Sequence, residues 1–427
     1  MTAARLAAAT GGPAICQTRG VDADASALER AYRAEATALR ATLARRLGDV
    51  GLAEELVQDA FVEALEHWPA EGVPANPGGW LTTTAWHKAL DRQRRTKAGR
   101  EKLALLAVTQ DRTSPPDDEP DADRDDDLLS LIFACCHPAL TDDSQVALTL
   151  RAVCGLTTGE IAATFLVTEQ AMGQRLSRAK RSLREAGVTV AVPDPDELGG
   201  RLAAVLAVVY LVFNEGYLAS TGRAPARRDL AAQAISLARL LHQLMPREPE
   251  VLGLLALLLL HESRAQARFD GWGRLIRLAE QDRSRWDYDL AAEATMLLDR
   301  ALAFRRPGPY QVQAAIAALH AAASQYEETD WEQIRLLYDR LQSMTPSPVV
   351  LLNRAVATRY ALGPAEALAE VETLGAELAE YRLFHAVRAE LLTTLGRLDE
   401  ARAANERALA LAANPAEREL IARRLSS

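Results

Sequence analysis

Apolar residues recur at intervals of three and four along almost the whole chain, and alternation at every second position is nearly absent. That is the period of helices with one buried face, so the pattern predicts an all-α protein. Three stretches interrupt it: the Pro/Gly segment Pro69 to Gly79, the Asp- and Pro-rich run Asp111 to Asp127, and the break Pro193-Asp194-Pro195. They divide the chain into a first helical domain over 24–102, an acidic linker over 103–127, a second helical domain over 128–190 and a long helical extension over 197–427. The linker composition buries no core and predicts a solvated tether. The longest apolar run, Val251 to Leu260, is about half the length of a membrane span and predicts a buried helix. Met1 to Gly20 is Ala-rich but lacks the basic start and sustained apolar run of a signal peptide.

The sharpest local pattern is Gly155 to Arg184. Ile161, Ala162 and Phe165 line one face of a short helix, Leu166-Val167 makes a turn, and Thr168 stands where an N-cap belongs. Met172, Leu176, Ala179 and Leu183 then repeat at four-three-four spacing and face a core together. The opposite face carries Gln170, Gln174, Arg175, Arg178 and Arg181. A polar, cationic ridge on the second helix after a tight turn is the arrangement of a helix-turn-helix whose second helix reads DNA. Arg forks onto guanine and Gln onto adenine, and both also hold phosphates. A basic helix face that merely contacts water is the plainer alternative.

The formal net charge is −9, so cationic surfaces have to be sought segment by segment. In the first domain, Leu52, Leu56, Val57, Ala60, Phe61 and Ala64 form the buried stripe of one helix. Glu54, Glu55, Gln58, Asp59 and Glu63 are expected on its outer face. Downstream, Lys88, Arg92, Arg94, Arg95, Lys97, Arg100 and Lys102 outnumber Asp91 and Glu101 and form a basic strip suited to phosphates. Large aromatics are usually buried, which places Trp80 in the core. Trp86 stands open between the core and a partner for an unstacked base.

These blocks carry a resemblance. Gly155, Leu156, Glu160, Ile161, Ala162, Val167, Arg175, Leu176, Arg178 and Ala179 match the last conserved region of bacterial sigma factors, which reads the promoter −35 element. Leu166 replaces the usual turn glycine and Gly173 the usual lysine. Ala53-Glu54-Glu55-Leu56-Val57-Gln58-Asp59-Ala60-Phe61 resembles the region-two helix that docks on the clamp helices of the polymerase β′ subunit. Trp80, Leu81, Ala85, Asp91, Arg94 and Arg95 resemble the segment that captures the −10 element and opens the duplex, with His87 in place of the usual asparagine. The two blocks stand in family order. The chain is thus similar to sigma factors of the extracytoplasmic-function type. The resemblance implies a cytoplasmic protein, nucleoid-associated when bound to polymerase, whose partners are core RNA polymerase and promoter DNA. The −35 site would comprise Thr168, Gln170, Gln174, Arg175, Arg178 and Arg181. The −10 and melting site would comprise Trp86, His87, Lys88, Arg92, Arg94 and Arg95, and the polymerase site Glu54, Glu55, Gln58, Asp59 and Glu63. The acidic linker would thread polymerase channels, or serve only as a solubilising tether.

Short sigma factors of this type end soon after the helix-turn-helix, whereas this chain continues to Ser427. Ala389, Gly396, Ala401 and Ala408, ahead of Pro415, fall at the small-residue positions of a tetratricopeptide-like repeat. A related unit surrounds Asn353-Arg354-Ala355-Val356-Ala357 and Gly363-Pro364, so repeats are expected near 348–415. Leu211 to Tyr217, Asp270-Gly271-Trp272 and Asp282 to Asp287 resemble signature stretches of the sigma group with this extension. There the extension regulates the sigma core or recruits a protein or ligand. As bare residues they read equally as interhelical salt bridges and packed aromatics. No membrane partner and no cofactor is implied.

Nothing in the chain points to catalysis. His261-Glu262 begins like HExxH but lacks the second His, and no GxGxxG, P-loop or GxSxG occurs. Cys16, Cys135, Cys136 and Cys154 form no CxxC pair, and they read as buried reduced thiols rather than a zinc site. The rival reading is a helix-turn-helix regulator on a repeat scaffold that never joins polymerase. A metal-dependent hydrolase built on His261 and Glu262 is a more distant third.

Overall fold

The structure is a computed structural model that describes residues 35–95, 121–165, 167–217 and 226–426. Regular structure among the described residues is helical, apart from one isolated antiparallel bridge between Phe269 and Leu275. These residues form two compact units that divide between Val205 and Leu206.

In the first unit, α1 spans 35–47, α2 Val50–Glu71, α3 Pro77–Arg95, α4 Asp121–Cys135, α5 Asp142–Ala152, α6 Thr158–Thr164 and α7 Glu169–Glu185. The division between the units falls inside α8, Pro195–Tyr217. Helix α2 starts where the Asp49 carboxylate accepts from the N–H groups of Gly51 and Leu52 at 2.9 and 3.0 Å. Its stripe Leu56, Val57, Ala60, Phe61 and Ala64 is buried, as the spacing predicts, while Leu52 is half-buried. The helix runs on through Pro69 to Glu71, so the break before α3 is only 72–76, shorter than the expected Pro69 to Gly79.

Residues 121–127 depart from the solvated tether the composition suggests, because they form the first turns of α4. Asp127 is buried and paired with Arg45 of α1 at 2.8 Å. The earlier part of that linker, like Cys16, Lys97, Arg100 and Lys102, lies outside the described residues. Cys135 and Cys136 are buried. Burial pushes the Cys136 and Cys154 thiols up to about 12, which leaves them protonated and poorly nucleophilic.

In the second unit, α9 (Arg228–Leu244), α10 (Pro249–Ser263), α11 (Tyr288–Ala303) and α12 (Pro309–Ala322) pack around α10. All of Val251 to Leu260 is buried, as expected of its unbroken apolar run. Each buried Leu there contributes about 1.5–3 kcal/mol. Then follow α13 (Trp331–Met344), α14 (Pro348–Ala361), α15 (Pro364–Glu372), α16 (Arg382–Thr394), α17 (Leu398–Leu411) and α18 (Pro415–Ser426), each packed on its neighbour. The α16–α17 pair places Ala389, Ala401 and Ala408 in its buried seam. Gly396 takes the left-handed conformation (φ 73°) that ends α16.

The stretch Leu211 to Tyr217 owes its glycine to packing. A Cβ on Gly216 would lie 2.3 Å from the backbone nitrogen of Ala231 in α9. Gly216→Ala is therefore expected to destabilise the second unit by about 1–3 kcal/mol, the cost of forcing helices apart in a packed core. Urea unfolding followed by circular dichroism measures it; an unchanged midpoint would remove this explanation of the glycine.

Candidate nucleic-acid interface

The second helical pair of the first unit is built by local chemistry. Thr157 caps α6: its hydroxyl accepts from the Glu160 N–H at 3.2 Å, and the Glu160 carboxylate accepts from the Thr157 N–H at 2.7 Å. The sequence carries that signal as Thr157-x-x-Glu160, which apolar spacing alone passes over. After a short turn Thr168 caps α7 as expected, accepting from the Ala171 N–H at 3.2 Å. Leu166, assigned to the turn, lies outside the described residues.

Met172, Leu176, Ala179 and Leu183 are all buried, and Thr168, Gln170, Gln174, Arg178 and Arg181 are exposed on the other side of α7. Arg175 is more restrained. Its guanidinium reaches Asp143 of α5 at 3.1 Å and lies 5.0 Å from the ring centroid of Phe165. The exposed ridge is thus two amides and two guanidinium groups on a rigid helix, with Arg175 at its edge. Groups of this kind fit base edges and phosphates in a major groove.

Helices α2 and α3 pack against each other and bring together two sets of residues nominated for different tasks. Lys88 pairs with Glu63 at 2.7 Å, and Arg92 with Glu55 at 2.7 Å. Gln58, Asp59 and His87 are exposed. Arg94 and Arg95 lie on the last turn of α3, and their side chains lie outside the described residues. Trp86 is a core residue: only 5% of its surface is exposed, and Arg46 lies 5.8 Å from its ring centroid. An unstacked base has no access to a ring sealed in this way, which corrects its nomination as a base partner. Trp80 is half-buried, edge-on to the buried Trp68 at 5.6 Å.

The largest departure from expectation is Glu54, placed by the helical pattern on the outer face of α2. It is 5% exposed. One carboxylate oxygen takes Arg151 of α5 at 2.5 Å and the other takes Lys180 of α7 at 2.5 Å. Burial by itself raises this carboxyl, but Lys180 and Arg151 outweigh it and hold Glu54 below the ordinary carboxylate range. Asp49, besides capping α2, takes Arg184 of α7 at 2.9 Å. On the other side Arg40 of α1, itself buried, donates to the Ala152 carbonyl at the end of α5, and Thr37 donates to that of Val153 at 3.3 Å. The polar side chains that join the first helical domain to the reading helix were therefore, Glu54 apart, not among the nominated residues. Lys180 and Arg184 had one legible sign: they flank the buried stripe of α7 rather than opposing it.

Among the described residues no three His, Cys, Asp or Glu side chains converge as a metal site requires. No helix there is long and apolar enough to cross a membrane. His261 is enclosed by Phe213, Tyr217 and Arg264, and burial, Arg264 and Arg268 hold its imidazole well below its ordinary range.

Residues 31–99 match the family described as Sigma-70 region 2, and residues 130–183 match Sigma-70, region 4. Over 181 residues the chain is 28% identical to the ECF RNA polymerase sigma factor SigL of Mycobacterium tuberculosis, covering 41% of this chain and 99% of that protein. Over 164 residues it is 27% identical to the probable ECF RNA polymerase sigma factor SigI of the same organism, 38% of this chain and 56% of that protein. This chain belongs to the extracytoplasmic-function sigma factors. Such proteins are transcription-initiation factors, which bind core RNA polymerase and promoter DNA, rather than enzymes. This sigma factor carries a C-terminal extension, of which residues 201–302 match a family of unknown function, DUF6596. An uncharacterized protein of Rhizobium meliloti is similar through both halves, 48% identical over 378 residues, 88% of this chain and 89% of that protein. No solved structure matches the chain.

Replacing Glu54 by Gln leaves Arg151 and Lys180 facing a neutral amide. The expected loss of stability is up to the about 3–5 kcal/mol of a broken buried pair. Because the folded-state carboxyl is held low, its contribution is complete above the unfolded value of about 4.3 and is lost as pH falls through the folded value. Urea midpoints of wild type and Glu54→Gln should therefore differ near neutral pH and converge in acid. A constant difference across that range would contradict the ionic account.

Proposed function

We propose that the sigma factor divides its work along the chain. Residues 24–102 engage polymerase and the melted −10 strand, 103–127 connect, 128–190 read the −35 duplex, and 197–427 regulate the sigma core or recruit a partner. What carries this reading is the outward ridge of α7, where Gln170, Gln174, Arg178 and Arg181 stand exposed on a capped helix whose other face is buried. Arg175 joins them once it exchanges Asp143 for a phosphate, and Thr168 serves chiefly to start the helix.

On α2, Glu55, Gln58, Asp59 and Glu63 form the acidic surface offered to the β′ clamp, where charge complementarity sets register and encounter rate. Glu54 is withdrawn from that surface and positions α7 instead. On α3, His87, Lys88 and Arg92, with Arg94 and Arg95 at its end, track the strand backbone. The pair Arg92–Glu55 is exposed and Lys88–Glu63 half-exposed, and surface pairs are worth only about 0–1 kcal/mol. They yield readily when phosphates and the clamp compete for their partners. Such a protein works in the cytoplasm and at the nucleoid.

Arg178→Ala with Arg181→Ala should weaken promoter duplex binding and lower the salt slope by about 0.9 for each phosphate that is no longer neutralised. Run-off transcription with core polymerase should fall in parallel. Asp59→Lys should reduce co-purification with core polymerase while leaving duplex binding by the isolated chain intact. Unchanged promoter-directed transcription by the double Arg variant would overturn the −35 assignment, and unchanged core binding by Asp59→Lys would overturn the docking surface.

A further inference from the structure

The second unit contains a cavity of about 510 Å³ between α10, α12, α13, α14 and the irregular segment 264–287. Its walls are largely apolar, with Leu257, Leu260, Ile316, Ala317, Leu341 and Val350 among them. This volume falls within the range of small-molecule sites and is far beyond the about 30 Å³ of one water.

Neutral polar groups such as Gln313, Ser347 and Asn353 also line the wall, but its formal charge has one sign. No Asp or Glu is part of the lining, and Arg264 is its cation. Among the described residues no carboxylate lies within ion-pair distance of Arg264, whose polar contact is His261 Nδ1 at 3.2 Å. Arginine only donates, so that nitrogen accepts and the imidazole proton sits on Nε2. Two further wall residues carry buried polar atoms with no hydrogen-bond partner: Trp286, 6% exposed, at Nε1, and His320 at Nδ1. Arg283 deepens the positive field, lying 4.6 Å from the Trp286 ring centroid and donating to the His320 carbonyl at 2.7 Å. Burial, with Arg264 and Arg283, lowers the His320 imidazole to about 3, so it is neutral near neutral pH and competes for no anion as a second cation.

We propose that this cavity binds a small organic monocarboxylate, its head on Arg264 and the Trp286 N–H and its aromatic or aliphatic body against Leu257, Ile316 and Val350. The charge on Arg264, the unpaired indole donor and the apolar remainder each match one part of such a molecule. A partly desolvated Arg–carboxylate contact is among the stronger polar interactions available. A neutral ligand would leave the guanidinium without a counter-charge.

Binding needs neither polymerase nor DNA, so the test stands apart from the transcriptional assignment. Naphthaleneacetate, decanoate and the neutral naphthaleneacetamide are titrated calorimetrically into the full chain, with thermal unfolding in parallel. The expected result is that the acids bind and raise Tm, with the amide weaker by about tenfold or more. Arg264→Gln should erase the preference for acid over amide. Ala317→Leu, which intrudes on the cavity, should abolish binding of both. Trp286→Phe keeps the ring shape and removes only the N–H; it should cost the acids several-fold and so covers the case in which Ala317→Leu fails to fold. The proposal is overturned if neither acid binds at millimolar concentration, if acid and amide bind the wild type alike, or if Arg264→Gln holds the acids as tightly as the wild type.

Discussion

A carboxylate removed from water between two cations governs the first unit. Glu54 on α2 accepts Arg151 from α5 through one oxygen and Lys180 from α7 through the other. Desolvating a carboxylate costs several kcal/mol, and one cation seldom repays it. Here two do, and the low-lying carboxyl reflects that balance. Such a triad contributes little net stability compared with an apolar packing of the same volume, but it is exacting about geometry. Only one placement of α7 on α2 brings Lys180, and with it Arg184, onto acidic partners. The orientation of the buried stripe Met172, Leu176, Ala179 and Leu183 is thereby fixed from two sides, and the reading ridge is left facing outward.

The same logic explains how a chain of net charge −9 presents cationic surfaces at all. Its acids are not spread evenly. Glu55 and Glu63 lie against Arg92 and Lys88, Glu54 and Asp49 against Lys180 and Arg184, and Asp127 against Arg45. Some of these pairs are exposed and weak, others buried and specific. On α3 the cations Lys88 and Arg92 are neutralised by partners on the neighbouring α2. On α7 the inner cations are consumed by structure, while Arg178 and Arg181 remain on the surface, the latter with Glu185 at 3.7 Å beside it. Separation of a paired from an exposed cation set on one helix follows from a single turn of periodicity.

How far the sequence could be read depended on how local each cause was. The buried stripe of α7, the cap at Thr168, the enclosed run Val251 to Leu260 and the small residues at Ala389, Ala401 and Ala408 all follow from spacing within one helix or one helix pair, and each lies where the spacing puts it. Glu54 could not be read this way. Its partner Arg151 is 97 residues distant, and on the wheel of α2 it flanks the apolar stripe, so periodicity alone left it outside. Asp127 was misjudged for a related reason. An Asp-rich run looks solvated until Arg45, 82 residues earlier, supplies a counter-charge. Trp86 was undecidable because a large ring serves a core or a base equally well, and only its enclosure beside Arg46 settles the matter.

The extension shows what happens when a regular stack is interrupted. From α12 onward successive helices pair closely; Arg354 ties α14 to α13 through Asp339 and to α15 through Glu370, while Glu390 of α16 reaches across to Arg359 of α14 and Arg424 of α18. Between α10 and α11 the chain instead follows an irregular path over 264–287, held by its own short contacts. Asp270 closes a hairpin onto Arg274 at 2.6 Å, and Asp287 caps α11 through the Leu290 N–H at 2.9 Å. Helical side chains interdigitate at close spacing, whereas a segment of 3₁₀ turns cannot fill the same grooves. Space is left where it meets α12 and α14, and the polar atoms of its ends, Arg264 and Trp286, face a wall that also carries Leu257, Ile316 and Val350. A cavity with one cation and an unmet indole donor is what this mismatch between a helical stack and a non-helical insertion produces.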